Sequence, residues 1–306
     1  MATTISSKPK SSKPKSSKIV DLEAALSAVK DGMTVGIGGW IFHGQPMALI
    51  RGLVRRGVRD LTLVPAPGSV APDMLIGAGC VRETGCVFIS FEHLGLAPNF
   101  RRAAQSGAIK VLEMDGPGIA GGLRAGACDL PYGLVPDLGT DLPKVNPQGY
   151  RKARIQEGGR PLLEVPAIKP DIVLLHGQQA DEEGNVQYFG AGYFDLLMAQ
   201  AAKHVICSVD RIVPVSTVRH NARLTKIPSA FVNAVVVTPF GAHPGCSPGL
   251  YDQDEAHLAA YVAASRDQVS FDAYLADHAR LAGGEAAYRE RIGAAALAGL
   301  TAGELG

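Results

Sequence analysis

Two adjacent glycines, Gly38 and Gly39, follow a short apolar run and stand directly before Trp40. A helical pattern begins at Pro46, so these glycines lie where a predicted strand leads into a predicted helix. Glycine lets backbone N–H groups approach a ligand closely, and a helix N-terminus favours negative charge. The tract lacks the third glycine and the acidic residue of a dinucleotide site, since position 41 is Ile41. Its spacing therefore leaves two interpretations open, a ligand-binding loop and a tight turn without a ligand.

Polar side chains follow two further apolar runs. His176, Gln178 and Gln179 come directly after residues 172–175, and His243 follows residues 234–237 in the tract PFGAHP. Ligands bind at strand ends in open α/β sheets, so these groups are candidates for polar substrate contacts. Equally, His176 can be a hydrogen-bonded core histidine and the glutamines can cap the sheet edge. His243 can orient a carboxylate or thioester oxygen, or hold its loop together through both ring nitrogens.

A nucleophile is harder to locate in this sequence. There is no Gly-x-Ser-x-Gly tract, and no cysteine stands beside an obvious base. Glu92 follows a predicted strand and is the carboxylate we consider for covalent or general-base chemistry, although an ordinary polar role fits it as well. Neither a His-Glu-x-x-His motif nor zinc-ligand spacing is present, so we predict no metal.

The elements that must position these groups form an α/β pattern. Seven apolar runs predict strands, over residues 33–37, 61–64, 86–90, 109–112, 172–175, 205–209 and 234–237. Because the runs are continuous rather than alternating, they predict an open, mostly parallel sheet with helices on both faces. Residues 116–160 are rich in Gly, Pro and Asp and predict an excursion over the active face without a second core. Helical patterns at 256–265, 270–281 and 285–297 predict a helical C-terminal cap.

Composition is typical of a globular, enzyme-like domain. Its 306 residues are 46% hydrophobic, enough for a large core. Residues 7–18 instead read SKPKSSKPKSSK, so we predict a disordered Lys/Ser/Pro tail over 1–18 and a single α/β domain over 19–306.

Charge and cysteine content narrow the function classes. Residues 1–18 hold five of the 30 basic residues, which leaves 25 against 29 acidic ones in the remainder and argues against nucleic-acid binding. Five widely spaced cysteines predict reduced thiols and a cytoplasmic location. No apolar run approaches the roughly 18 residues of a membrane span.

Several motifs in sequence order resemble the A (alpha) subunits of family I coenzyme A transferases, over about Leu22 to Leu275. The first signature stands as DGMTVGIGGWIFHGQP between Asp31 and Pro46. It departs from the family pattern at Gly36, where an apolar residue is usual, and at Trp40, where phenylalanine is usual. Further matches are residues 73–77 (DMLIG), 178–185 (QQADEEGN), 201–203 (AAK), 241–244 (GAHP) and 249–252 (GLYD). The resemblance is greatest to the glutaconate CoA-transferase type.

This resemblance implies a ping-pong transfer of CoA between an acyl-CoA and a carboxylic acid, with a dicarboxylic acid expected. The nucleophilic glutamate would lie on a partner B subunit, so the chain would act as part of a hetero-oligomer with CoA thioester as substrate and no permanently bound cofactor. Gly38, Gly39 and Trp40 would form a loop facing the thioester, with N–H donors for the oxyanion. Ser69, Gln178 and His243 would hold the substrate carboxylate or CoA.

Two alternatives remain. Similar subunits occur in a ring-opening hydrolase of steroid degradation, which would need a carboxylate of this chain near the pocket. Glu113 and Asp115 are available, but Gly116 stands where that glutamate is expected. A non-catalytic effector-binding sensor is the second alternative, and it would require a helix-turn-helix that the short polar N-terminal tract does not encode.

Overall fold

The computed structural model describes residues 17–154 and 159–301. Most of the predicted tail, residues 1–16, lies outside the described residues. The α-helices are α1 Leu22–Leu26, α2 Met47–Arg56, α3 Val70–Gly77, α4 Pro98–Ser106, α5 Gly116–Ala127, α6 Leu142–Val145, α7 Asp195–Ala201, α8 Val215–His220, α9 Glu255–Ala264, α10 Gln268–His278, α11 Gly284–Ile292 and α12 Ala294–Leu300. The strands are β1 Thr34–Ile37, β2 Leu61–Pro65, β3 Val81–Cys86, β4 Lys110–Glu113, β5 Tyr132–Pro136, β6 Arg151–Lys152, β7 Leu162–Pro166, β8 Ile172–Ala180, β9 Val186–Gln187, β10 His204–Ile212, β11 Thr225–Ile227 and β12 Ala234–Val237.

Seven strands of the main sheet run parallel, in the order β4-β3-β2-β1-β8-β10-β12. The short strands β9 and β11 add antiparallel pairings beyond the end of β1, where β9 pairs with the last two residues of β8. The prediction of an open, mostly parallel sheet of about seven strands is therefore confirmed.

One predicted strand is wrong in position. Residues 86–90 were expected to form it, but the strand is β3, Val81–Cys86, and the later residues contribute only isolated bridges at Ile89 and Ser90. The strand was missed because its first half is polar: Arg82 and Glu83 lie toward solvent near the sheet edge, while Thr84 to Cys86 are buried.

Alternate residues of the central strands enter separate hydrophobic clusters on the two faces of the sheet. In β8, Ile172 and Leu174 belong to one cluster, whereas Val173 and Leu175 belong to the other. The first cluster is covered by α2, α3 and the C-terminal helices α9 and α10, and the second by α5 and α7. Burial on both faces is why the strands read as continuous apolar runs.

The C-terminal helices are confirmed, with one difference. The third predicted helix, 285–297, is divided into α11 and α12 at Gly293, whose φ of 94° ends the helix. At the other end of the chain, Asp21 caps α1 by accepting a hydrogen bond from the Ala24 N–H at 2.7 Å.

The segment between β4 and β8, which includes the predicted excursion over residues 116–160, contains more secondary structure than expected. Strands β5, β7 and β6 form a separate antiparallel sheet against α5, around a small core of Val135, Tyr150, Leu163 and Val165. The prediction of no second core is therefore wrong. Gly133 makes the close approach of β5 to α5 possible, because a Cβ there would lie 2.4 Å from the Gly121 carbonyl oxygen.

Candidate active site

A narrow crevice opens where β1 and β8 end. Its lining includes Gly39, His43, Gln178, Tyr188 and Asp195. Parallel strands end at one edge of the sheet, so residues far apart in the sequence meet here. In α/β sheets this edge is where ligands bind. The predicted glycine loop and two of the predicted polar residues, His176 and Gln178, are thus brought together.

Larger clefts occur elsewhere. One of about 740 Å³ lies beside Arg55, Arg59 and Gly79. Gly57 to Arg59 precede β2 and Gly79 precedes β3, so this cleft is at the amino ends of the strands. We place the candidate site in the smaller crevice because it contains the glycine loop at the carboxyl edge.

The glycine loop has a backbone conformation that requires glycine at one position. Gly39 has a φ of 88°, and a Cβ on it would lie 2.8 Å from the carbonyl oxygens of both His43 and Gly44. The loop then turns tightly, since Trp40 and His43 exchange backbone hydrogen bonds of 2.8 and 2.7 Å. The loop backbone is therefore rigidly defined.

The N–H groups of the loop are already engaged within the chain. Gly38 donates to the Leu174 carbonyl at 3.0 Å, Gly39 donates to Asp195 Oδ1 at 3.0 Å, and Trp40 donates to the His43 carbonyl. The predicted donation from this loop to an oxyanion would require one of these bonds to break. The loop faces the crevice, but its role there stays a prediction.

Asp195, the first residue of α7, is the buried partner of the loop. It is 1% exposed, and its second oxygen accepts a hydrogen bond from the Tyr188 hydroxyl at 2.9 Å. Burial raises the pKa of Asp195 above its ordinary value, while the bonds from Gly39 and Tyr188 oppose that shift. Sequence reasoning missed this residue, because nothing in the chain pattern links it to a loop 156 positions away.

Ser69, predicted to hold substrate, supports the glycine loop in this structure. It is fully buried, and its hydroxyl donates to the Ile41 carbonyl at 2.6 Å. Gln45 lies 3.2 Å from the same hydroxyl and also accepts from the Ala71 N–H. A direct substrate contact of Ser69 stays a prediction.

His176 and Gln178 belong to a buried polar network behind the crevice. His176 contacts Ser208 at 2.9 Å and Asp210 at 3.1 Å through its two ring nitrogens. Gln178 donates to Ser247 and accepts from the Phe189 N–H, at 3.0 and 2.8 Å. Both side chains line the crevice but have their hydrogen-bonding groups committed.

His243 lies among the C-terminal helices instead. Its ring contacts the Tyr288 hydroxyl at 2.7 Å and Asp254 at 3.2 Å, and burial lowers its pKa. These contacts fit the second interpretation of this residue, in which the ring holds its loop through both nitrogens.

Two aromatic side chains stand close in sequence to crevice-lining residues, Trp40 directly after Gly39 and Tyr193 two positions after Ala191. Trp40 and Tyr193 are 37% and 40% exposed, and their rings meet edge to face with centroids 4.4 Å apart. Glu92 lies on a neighbouring loop with its side chain exposed and does not line the crevice. That loop packs beside the glycine loop through Phe42 and Phe91. A nucleophilic role for Glu92 stays a prediction.

A family model described as Coenzyme A transferase matches residues 19–238 of the chain. The chain belongs to this coenzyme A transferase family. The match includes the glycine loop, Asp195 and the whole parallel sheet, so every crevice-lining residue except Pro248 lies within the family region.

The names of the relatives include two different activities, CoA transfer and ring-cleaving hydrolysis. The chain is 32% identical to the A subunit of 3-oxoadipate CoA-transferase from Pseudomonas knackmussii, over 84% of this chain and 92% of that protein. It is 33% identical to the cholesterol ring-cleaving hydrolase IpdA subunit of Mycobacterium tuberculosis, over 89% and 95%. It also spans 55% of the length of an uncharacterized protein of Archaeoglobus fulgidus, with 35% identity.

A solved structure shows the same fold. The crystal structure of glutaconate coenzyme A-transferase from Acidaminococcus fermentans matches with a TM-score of 0.89 and 26% identity, covering 94% of this chain and 96% of that one. The resemblance inferred from the motifs is thereby confirmed.

Two other kinds of site, a membrane-spanning helix and a metal cluster, are absent from residues 17–154 and 159–301. No helix of this part is both long and apolar enough to span a membrane. No cluster of His, Cys, Asp and Glu side chains in it is arranged to hold a metal ion.

Asp195 provides a first prediction for this coenzyme A transferase. Asp195→Ala leaves the Gly39 N–H and the Tyr188 hydroxyl without their partner, and we expect kcat/KM for CoA transfer to fall about 10-fold as the loop loosens. Hydrogen exchange at the Gly39 amide should become faster. Asp195→Asn, which keeps an acceptor oxygen, should restore most of the activity.

Tyr188→Phe is the matched control, because it removes the other hydrogen bond of Asp195 and leaves the bond to Gly39 intact. It should change Gly39 exchange little. If Tyr188→Phe and Asp195→Ala altered Gly39 exchange equally, Asp195 would have no specific role in positioning the loop.

Proposed function

We propose that the chain is the A subunit of a heteromeric CoA-transferase that moves CoA between an acyl-CoA and a carboxylic acid. The observation that carries this proposal is the glycine loop of the family signature, held at the mouth of the crevice by Asp195. The names of the relatives and the family match support the same activity. The expected location is cytoplasmic.

The chemistry proceeds through a glutamate of a partner B subunit. Its carboxylate attacks the thioester carbonyl, and the C–S bond breaks. CoA departs as the thiolate, and the acyl group stays on the glutamate as an acyl-glutamyl anhydride. The thiolate then attacks the glutamyl carbonyl, which releases the first acid and leaves a glutamyl-CoA thioester. The second acid repeats these steps in reverse, so nothing is oxidised or reduced.

Two features of this chain support a site shared with a partner. The crevice carboxyl, Asp195, is buried and already accepts two hydrogen bonds, so it is poorly placed to attack a thioester. Apolar side chains are exposed on the loops at this edge of the sheet: Trp40, Phe88, Leu96 and Tyr193. Exposed apolar clusters of this kind mark interaction surfaces.

The test is intact mass spectrometry of the chain and its co-purifying partner after mixing with an acyl-CoA. We expect a CoA adduct on the partner and none on this chain, and no adduct when free CoA replaces the thioester. CoA exchange catalysed by the purified chain alone, or an adduct on this chain, would contradict the proposal.

Ring-opening hydrolysis is the second candidate, because the IpdA subunit of M. tuberculosis matches over 89% of this chain. The position expected to hold its glutamate is Gly116, and a Cβ there would lie 3.4 Å from the Tyr193 hydroxyl, beside the aromatic pair. Glycine offers no carboxylate at that place, which favours the transferase. A ring-opened product with no adduct on either chain would reverse this preference.

A further inference from the structure

His43 differs from the other polar side chains of the crevice in its hydrogen bonding. His176, Gln178, Tyr188 and Asp195 are each bonded to other residues of the chain. His43 is exposed, and its ring has no hydrogen-bond partner in the part of the chain that the structure describes. Among the crevice-lining side chains, it is therefore the one with ring nitrogens available to a ligand.

The backbone of His43 is held in place although its side chain is exposed. Its N–H donates to the Trp40 carbonyl and its own carbonyl accepts from the Trp40 N–H. The next residue, Gly44, donates to the Cys246 carbonyl at 2.9 Å. The backbone that carries the ring is thus fixed, so a ligand that engages the ring has to order only the side-chain torsions of His43.

The charge of the crevice limits what acyl group can enter. Its lining, taken over the described residues, contains no lysine or arginine, and it contains the buried carboxyl of Asp195. A second carboxylate brought into this space would lose its hydration beside an acidic group without gaining a cationic partner from this chain. Ala191 and Pro248, also in the lining, offer apolar contact.

Together these observations identify a ligand chemistry. We propose that His43 donates a ring N–H hydrogen bond to an oxygen of the acyl group, and that the crevice prefers acyl groups without a second carboxylate over dicarboxylic ones. This inference rests on the proposed CoA-transferase function. It replaces the dicarboxylic expectation drawn from the family resemblance.

The chain offers a direct reporter of binding. Trp40 is the only tryptophan of the 306 residues, and it stands next to Gly39 and three positions from His43, both of which line the crevice. Titration of the full chain with pentanoyl-CoA and with glutaryl-CoA compares two acyl groups of similar length, one ending in methyl and one in carboxylate. We expect Trp40 fluorescence to report at least about 10-fold tighter binding of pentanoyl-CoA.

Three variants test His43 itself. His43→Ala should weaken pentanoyl-CoA binding about fivefold, as expected for loss of one hydrogen bond. His43→Arg supplies the missing cation and should tighten glutaryl-CoA binding about 10-fold. His220→Ala removes another exposed histidine, at the end of α8, and should change neither affinity.

Transfer assays on the co-purified complex distinguish a failure of this inference from a failure of the proposed function. If the complex transfers CoA but prefers glutaryl-CoA, or if His43→Ala leaves both affinities unchanged, the inference is overturned and the transferase function stands. If no CoA is transferred from either thioester, the proposed function fails, and the affinities of the full chain still decide the role of His43. Absence of binding of both thioesters to chain and complex overturns the inference.

Discussion

Gly39→Ala is expected to lower kcat/KM for CoA transfer by about 100-fold while the chain still folds and still binds the proposed B subunit. The added Cβ would lie 2.8 Å from two carbonyl oxygens and 2.9 Å from the Gln45 nitrogen. These are backbone atoms of the same rigid turn, so the turn itself must move. A displacement of about 1 Å in a positioned site can cost about 100-fold in rate.

Gly32→Ala separates the clash from the cost of backbone conformation. Gly32 has a φ of 78°, similar to the 88° of Gly39, but a Cβ there meets nothing within 4 Å. Both substitutions carry the penalty of a left-handed residue, about 1 kcal/mol in the free energy of unfolding. Only Gly39→Ala should lose activity. Equal turnover of the two variants would remove the glycine loop from the mechanism.

The fold was largely predictable because it rests on local patterns. Six of the seven predicted strands share three or more residues with observed ones, since burial on both faces leaves continuous apolar runs such as residues 172–175 and 234–237. The strand Val81–Cys86 was misplaced because two polar residues, Arg82 and Glu83, interrupt its apolar pattern and a more apolar loop follows it. The small antiparallel sheet of β5 to β7 was missed, since its core is made of only a few residues scattered through a Gly- and Pro-rich stretch.

The site was predictable only in part. Gly38 and Gly39 could be identified by their type and by their place between a strand and a helix. The partner of Gly39 could not be found in this way, because Asp195 is one acid among 29 and only the fold brings it to the loop. His43 was passed over for a related reason. What distinguishes it is that its neighbours in space are already hydrogen-bonded, and a sequence does not record that.

The departure at Gly36 is explained by packing. The family pattern has an apolar side chain there, but in this chain a Cβ at position 36 would lie 2.7 Å from a methyl carbon of Val173 on the adjacent strand. Val173 fills that space instead and belongs to the second core cluster. The departure therefore concerns the contact of β1 with β8 and does not alter the crevice.

Arg51→Ala is expected to cost the most stability of the substitutions considered, about 3 kcal/mol in the free energy of unfolding. It leaves the buried His243 carbonyl without its donor and Glu285 with Arg55 as its remaining cationic partner, at 3.2 Å. Arg51 is 1% exposed in α2 and pairs with Glu285 of α11 at 2.5 Å. It also donates to the His243 carbonyl at 2.8 Å and stacks 3.6 Å from the centre of the Tyr288 ring.

Loss of Arg51 should destabilise the C-terminal helices first, because the Arg51 side chain joins α2 to α11 and to the loop of His243. Urea unfolding measures the change, and hydrogen exchange in α11 should accelerate before exchange in β8. Arg291→Ala is the matched control, since its pair with Asp277 is more than half exposed on both sides and should cost less than about 1 kcal/mol. If Arg51→Ala lowered the free energy of unfolding no more than Arg291→Ala does, apolar packing alone would hold these helices. The helix that begins directly after the glycine loop would then owe its position to its own core residues and not to the buried ion pair.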